Sequence, residues 1–205
     1  MFGREKRLQI KLIDERFANV IHTEITPETV IDYGKFLRKV YLAYLDKMYE
    51  NNKIAIRDTN WHYEVRLMPR KMKNFSRLGQ YYPNYKRTGR KILELQSAAI
   101  EQLDDGYTVR CAQDKYEQKF LREFRYDFPR FADTCTYVDS SGHIAQKDWL
   151  FIHNLLIHEM SHHWQFCVDP YDTSHSKLFG TCFTKLLTDF DFVLLFVNFV
   201  EKTYR

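Results

Sequence analysis

The stretch Trp149 to Cys167, WLFIHNLLIHEMSHHWQFC, carries His158-Glu159-Met160-Ser161-His162 at its centre. Apolar residues fall on nearly every side of a helical period here, among them Trp149, Leu150, Ile152, Leu155, Leu156, Ile157, Met160, Trp164 and Phe166, which marks a buried helix. Gly142 and the polar run before Asp148 supply a break and an N-cap, and Asp169-Pro170 supplies the stop. On such a helix His158 and His162, four residues apart, share a face and can ligate one metal ion. Glu159 lies beside His158, where its carboxylate can reach a metal-bound water and take its proton. Two histidines and a glutamate in a buried helix need partners. A zinc ion satisfies all three, and hydrogen-bonded core histidines are the alternative.

A catalytic zinc site takes three protein ligands as a rule. The next histidine is His175, reached through the loop Val168 to Ser174 and placed at the start of a new apolar pattern (Leu178, Phe179, Phe183, Leu186, Leu187). A second helix turning back there can bring His175 to the metal. Asp189 and Asp191 are the alternative carboxylate ligands, and the sequence spacing favours His175. His163 points some 100° away from His162 around the helix, and His153 misses the ligand face, so both read as packing or hydrogen-bonding histidines. Gln165, Asp169 and Asp172 are close enough in sequence to bond the outer nitrogen of a ligand histidine. Tyr171 is a candidate oxyanion donor.

The run HEMSHHWQ, followed by a loop and His175-Ser176-Lys177-Leu178-Phe179, resembles the active-site region of the SprT-like zinc metallopeptidases, the group that includes the Spartan DNA-protein crosslink proteases. His175 and Phe179 match the family's third histidine and the aromatic four residues past it, while Ser176 stands where glycine is usual. The resemblance covers Trp149 to Phe183 and, more faintly, Leu78 to Ala99, where Lys91 to Leu95 would be similar to the family's edge strand beside the cleft. Cys111, Cys135, Cys167 and Cys182 contain no CxxC pair, so these cysteines are not expected to build the zinc ribbon that many members carry. The resemblance implies a zincin-like domain in which a small antiparallel or mixed sheet packs on the HExxH helix. It also implies Zn2+ as cofactor, held by His158, His162 and His175, and a protein or peptide substrate that adds along a sheet edge. Glu159 would be the general base.

The rest of the chain fits an α+β layout. Thr26-Pro27-Glu28 opens a helix whose apolar residues recur at helical spacing to about Glu50. Trp61 to Leu67 alternates as a strand, and Ser76 to Tyr82 with Gly89 to Leu95 pair across the turn-prone Pro83-Asn84-Tyr85. Asp114 to Tyr126 is a helix that stops before Pro129. Phe190 to Val200, interrupted by Asp191 and Asn198, reads as a core or subunit-interface helix rather than a membrane segment. With 205 residues and 44% hydrophobic content, one compact unit is expected: a helical region over 1–55 and the peptidase-like region over 56–205. Met1 to Arg7 is charged and lacks a following apolar run, so no secretory signal is expected. Scattered cysteines without a pairing pattern point to reduced thiols and a cytoplasmic setting, or a nucleoid or nuclear one if the protein works on DNA.

Charge gives a second signal. Arg66, Arg70, Lys71, Lys73, Arg77, Lys86, Arg87, Arg90 and Lys91 fall in one segment with no acidic residue, although the whole chain is only +4. Phe75, Tyr81, Tyr82 and Tyr85 are interleaved with them. Such a mixture binds phosphates and stacks on exposed bases, Tyr81 and Tyr82 being the stacking candidates. The other reading is a solvated hairpin whose aromatics belong to the core. Three functions stay open: a zinc endopeptidase with DNA as a further partner, a zinc hydrolase of another substrate class, and a non-catalytic scaffold binding nucleic acid or protein.

Overall fold

The computed structural model describes residues 12–51, 62–68, 78–97 and 115–204. It is a mixed α+β structure. Helical residues 12–18 (α1) lead into the long helix Pro27–Glu50 (α2). Thr26 caps α2 reciprocally with Thr29: the Thr29 N–H donates to Thr26 Oγ1 at 3.2 Å and the Thr26 N–H to Thr29 Oγ1 at 2.8 Å, which satisfies two otherwise orphaned donors. Val30, Tyr33, Leu37, Tyr41 and Leu45 form its buried stripe, at the spacing that keeps one face inward. Gly34 lets α2 approach the sheet closely, since a Cβ there would stand 2.7 Å from Val65 Cγ1.

Three strands follow: Glu64–Met68 (β1), Gly79–Tyr82 (β2) and Ile92–Gln96 (β3). β3 pairs antiparallel with β2 and parallel with β1, so the sheet is mixed and its order is β1-β3-β2. The expected hairpin of β2 and β3 is present, but β3 is the central strand and not an edge. Ile92, Leu93, Glu94 and Leu95 are all buried, as suits a strand covered on both faces. Among the described residues β2 is an outer strand of this sheet, and it lies beside the HExxH helix. The loop between β2 and β3 turns through positive φ at Lys86, Arg87 and Gly89, and Asn84 Oδ1 holds it by accepting the Gly89 N–H at 2.8 Å.

Lys115–Asp127 (α3) ends before Pro129, and the short helix Ala132–Cys135 (α4) leads into a hairpin of Thr136–Val138 (β4) and Ile144–Gln146 (β5). This hairpin lies where only a polar break was expected. Asp139 Oδ1 accepts from the N–H groups of Ser141 and His143, each at 2.9 Å, and Gly142 adopts φ 78°. The HExxH helix, Asp148–Val168 (α5), therefore starts from β5 at Lys147 without a side-chain cap. Asp148 itself takes φ 49°. Lys177–Asp189 (α6) folds back on α5, and Phe192–Thr203 (α7) closes the bundle, capped by Asp191 Oδ1 on the Leu194 N–H at 2.7 Å.

One apolar core runs from Phe17 to Val200 and joins α2 to the HExxH helix. Trp149, Tyr33, Phe192, Phe196 and Phe199 are fully buried in it, each contributing roughly 1.5–3 kcal/mol of transfer free energy. The Trp149 indole N–H donates to the Thr23 carbonyl at 2.7 Å, so its polar atom is satisfied as well. Cys135, Cys167 and Cys182 are free and buried; Cys111 lies outside the described residues. Among the described residues no helix is long and apolar enough to cross a membrane.

Candidate metal centre

α5 is buried on nearly all sides, and each of its histidines has a defined place. His153 and His163 face away from the HExxH pair and hydrogen-bond within the core. The Tyr33 hydroxyl lies 2.7 Å from His153 Nδ1, and His153 Nε2 lies 3.2 Å from the Phe190 carbonyl oxygen. That carbonyl can only accept, so Nε2 carries the proton and the Tyr33 hydroxyl donates to Nδ1. Burial pushes the His153 imidazole down to a pKa of about 3. The Tyr41 hydroxyl donates to the Met160 carbonyl at 3.1 Å and lies 2.8 Å from His163 Nδ1.

His158 and His162 face α6, and the loop 169–176 brings His175 to them. The ligating nitrogens of these three all lie within 4.8 Å of one another, and His158 Nε2 is 3.1 Å from His175 Nε2. Neutral imidazole nitrogens gathered so closely are a donor set that could hold a metal ion. Burial, and next the charges of His162 and His175, push His158 down to about 3. Burial lowers His162 too. Both rings are thereby held in the neutral form that ligation requires. Phe179 backs all three rings, with centroids 4.9 Å from His158, 4.4 Å from His162 and 4.7 Å from His175.

The loop is held by a polar network. Gln165 Oε1 is 3.1 Å from His162 Nδ1, while Gln165 Nε2 donates to the Ser174 carbonyl at 2.7 Å and to Ser176 Oγ at 3.3 Å. Ser176, immediately after His175, caps α6 by accepting from the Leu178 and Phe179 N–H groups at 3.1 and 3.4 Å, and donates its own proton to Asp172. That hydroxyl is the chief reason the Asp172 carboxyl lies below its ordinary range. Of the three residues expected to bond a ligand histidine, Gln165 does so directly, Asp172 acts through Gln165 and Ser176, and Asp169 instead accepts the Tyr171 N–H at 3.2 Å. Tyr171, the candidate oxyanion donor, is 90% exposed. Asp189 bonds the Tyr44 hydroxyl at 2.7 Å and pairs with Lys185, and Asp191 is the α7 cap, so neither alternative carboxylate belongs to the cluster.

Glu159 is 4% exposed and lies under the start of β2. A Cβ at Gly79 would stand 3.0 Å from Glu159 Cγ and Oε1. Sequence reasoning passed over Gly79, although a glycine in a strand is a signal of close approach.

The basic segment is partly described. Arg70, Lys71, Lys73 and Arg77, with Phe75, lie outside the described residues. Arg66 donates to buried Glu94 at 2.9 Å and stacks 4.1 Å from the Tyr85 ring centroid. Arg90 pairs with Glu64 at 2.6 Å. Carboxylates flanking the acid-free segment thus neutralise two of its charges. Lys86 and Arg87 are exposed at the tip of the β2–β3 loop, and Lys91 is half-buried, 5.8 Å over the Phe166 ring. Tyr81 does not fit the stacking role expected of it: it is 7% exposed and packs on His163 and Phe166. It faces the core because β2 covers α5. Tyr82 is half-buried and meets Tyr85 edge to face at 5.4 Å.

No protein-family model, no curated protein and no solved structure matches this chain.

Proposed function

We propose that this chain is a zinc-dependent endopeptidase of zincin-like fold, of the kind its HExxH region resembles, the SprT-like metallopeptidases. The observation that carries the reading is the convergence of His158, His162 and His175, with ligating nitrogens within 4.8 Å of one another, on a helix where Glu159 directly follows His158. Zinc held by these three imidazoles would polarise a peptide carbonyl and make water acidic enough to attack at neutral pH. Glu159 takes the proton that the attacking water gives up, holds it at a carboxylate oxygen and passes it to the departing amine. Gln165 holds His162 with Nε2 toward the cluster, and Phe179 excludes water from one side of the three rings. An extended peptide that pairs by its backbone along a sheet edge would give broad sequence preference.

Metal analysis with a casein-cleavage assay tests this. One zinc per chain, cleavage by the parent, and a Glu159→Gln variant that keeps zinc and loses cleavage are the expected results. His158→Ala, His162→Ala and His175→Ala should lose the metal itself. Equal cleavage by Glu159→Gln and the parent would overturn the reading. A DNA-directed role is a narrower proposal, supported by the exposed Lys86 and Arg87 beside Tyr85. If the parent binds nucleic acid and zinc but cleaves nothing, the non-catalytic scaffold replaces the peptidase.

A further inference from the structure

Gly79 opens β2, and space rather than backbone conformation demands a glycine there, because its φ lies outside the left-handed region. A Cβ would stand 3.0 Å from Glu159 Cγ, 3.0 Å from Glu159 Oε1 and 3.2 Å from Leu155 Cδ1. Carbon contacts are comfortable at roughly 3.5–4.0 Å. Leu155 and Glu159 are one turn apart on α5, and Tyr81, on the same face of the strand as Gly79, packs on His163 and Phe166 one turn further along. β2 therefore lies along this side of the helix, and its first residue meets the carboxylate. The atoms that would have to yield to a methyl group are the end of the Glu159 side chain and a leucine methyl, not backbone. A larger residue would thus move the carboxylate without forcing the strand off the helix.

We infer that Gly79 is a positioning residue for Glu159: the bare backbone at this point leaves the space that the end of the Glu159 side chain occupies. The inference rests on the proposed role of Glu159 as base. It gives β2 a part in catalysis separate from any pairing with substrate. Displacement of a reacting group by about 1 Å can cost on the order of 100-fold in rate.

The test is Gly79→Ala in the zinc-loaded full chain, read by kinetics and by a crystal structure of the variant. The expected result is zinc retained at the parent's stoichiometry, KM within about twofold, kcat lower by roughly 10- to 100-fold, and the Glu159 carboxylate shifted away from residue 79. In a Glu159→Ala background, which removes both Cγ and the carboxylate from the contact, the same substitution should change the residual cleavage by less than about twofold, so the two changes are non-additive. An unmoved carboxylate, an undiminished kcat, or a loss of zinc in Gly79→Ala would overturn the inference, the last because it makes the residue merely structural. A parent without peptidase activity would sink the peptidase reading instead. The crystal structure then judges the contact alone, and an unmoved carboxylate still overturns it.

Discussion

Gln165 presents its amide oxygen to His162 Nδ1 at 3.1 Å while its amide nitrogen is committed to the Ser174 carbonyl at 2.7 Å. Since that carbonyl can only accept, the amide cannot be turned the other way, and His162 must donate from Nδ1. Its Nε2 lone pair is then left for a metal. Gln165→Leu removes the acceptor and frees the ring to take the wrong tautomer. Zinc affinity should fall by about 10- to 100-fold, with stoichiometry unchanged. Competition with a chelator measures this, and parental affinity in the variant would remove Gln165 from the site.

Ser176 occupies the position where the resembled family usually has glycine, and here it caps α6 and bonds Asp172 at once. Ser176→Ala should lower stability by about 1 kcal/mol through the lost cap. Ser176→Gly should cost only a few tenths of that order, because glycine tolerates the cap backbone. Urea unfolding of the two variants distinguishes them; identical midpoints would show that the cap contributes nothing.

His153 predicts an acid dependence of stability. Burial lowers its folded pKa from the usual 6.5 to about 3, so below 6.5 the unfolded chain takes up a proton that the folded chain refuses. Its contribution is fully present above pH 6.5 and is lost as pH falls toward 3, amounting to a few kcal/mol across that window. His153→Gln should flatten the slope of unfolding free energy between about pH 6.5 and pH 4. An unchanged slope would mean that the ring titrates normally.

The basic residues should divide by their partners. Arg66→Ala leaves Glu94, 4% exposed, without its cation and should cost about 2 kcal/mol of stability. Lys86→Ala and Arg87→Ala, at an exposed loop tip, should leave the melting temperature unchanged. If the loop binds nucleic acid, those two substitutions should reduce the salt dependence of binding by about one charge each. Salt-independent binding, or none at low salt, would reduce the loop to a solvated turn.

The parts that could be read from the sequence are those whose determinants are local. The capping signal at Thr26-Pro27, the spacing of His158 and His162, and the loop with a helix start before Leu178 each lie within a few residues, and each corresponds to an observed element. The parallel pairing of β1 with β3 was not legible, because it joins Glu64 to Ile92 across the sequence, and alternation shows that a strand exists but not its neighbour. Lys91 to Leu95 is an edge strand only by the family resemblance; the parallel neighbour β1 makes it central, and Arg66 pairs with the glutamate buried in it. The burial of Tyr81 is equally non-local, since the covering of β2 by α5 is tertiary. The β4–β5 hairpin has a local trace, the turn-forming Asp139-Ser140-Ser141-Gly142, which by itself reads as a break before the helix.

The two tyrosine-histidine bonds between α2 and α5 have a consequence for how a metal would bind. Tyr33 reaches His153 and Tyr41 reaches His163, so two parallel helices are pinned at two levels, and α5 can neither roll about its axis nor slide along it. Its opposite face therefore presents His158 and His162 on a backbone fixed by the core, with Gln165 orienting the His162 ring. Binding then need not recruit folding free energy, as it must in small zinc modules that collapse without their ion. Stripping the ion should leave a cooperatively folded, reloadable protein whose losses are confined to the 169–176 loop, the part of the cluster anchored by side-chain hydrogen bonds rather than by the core.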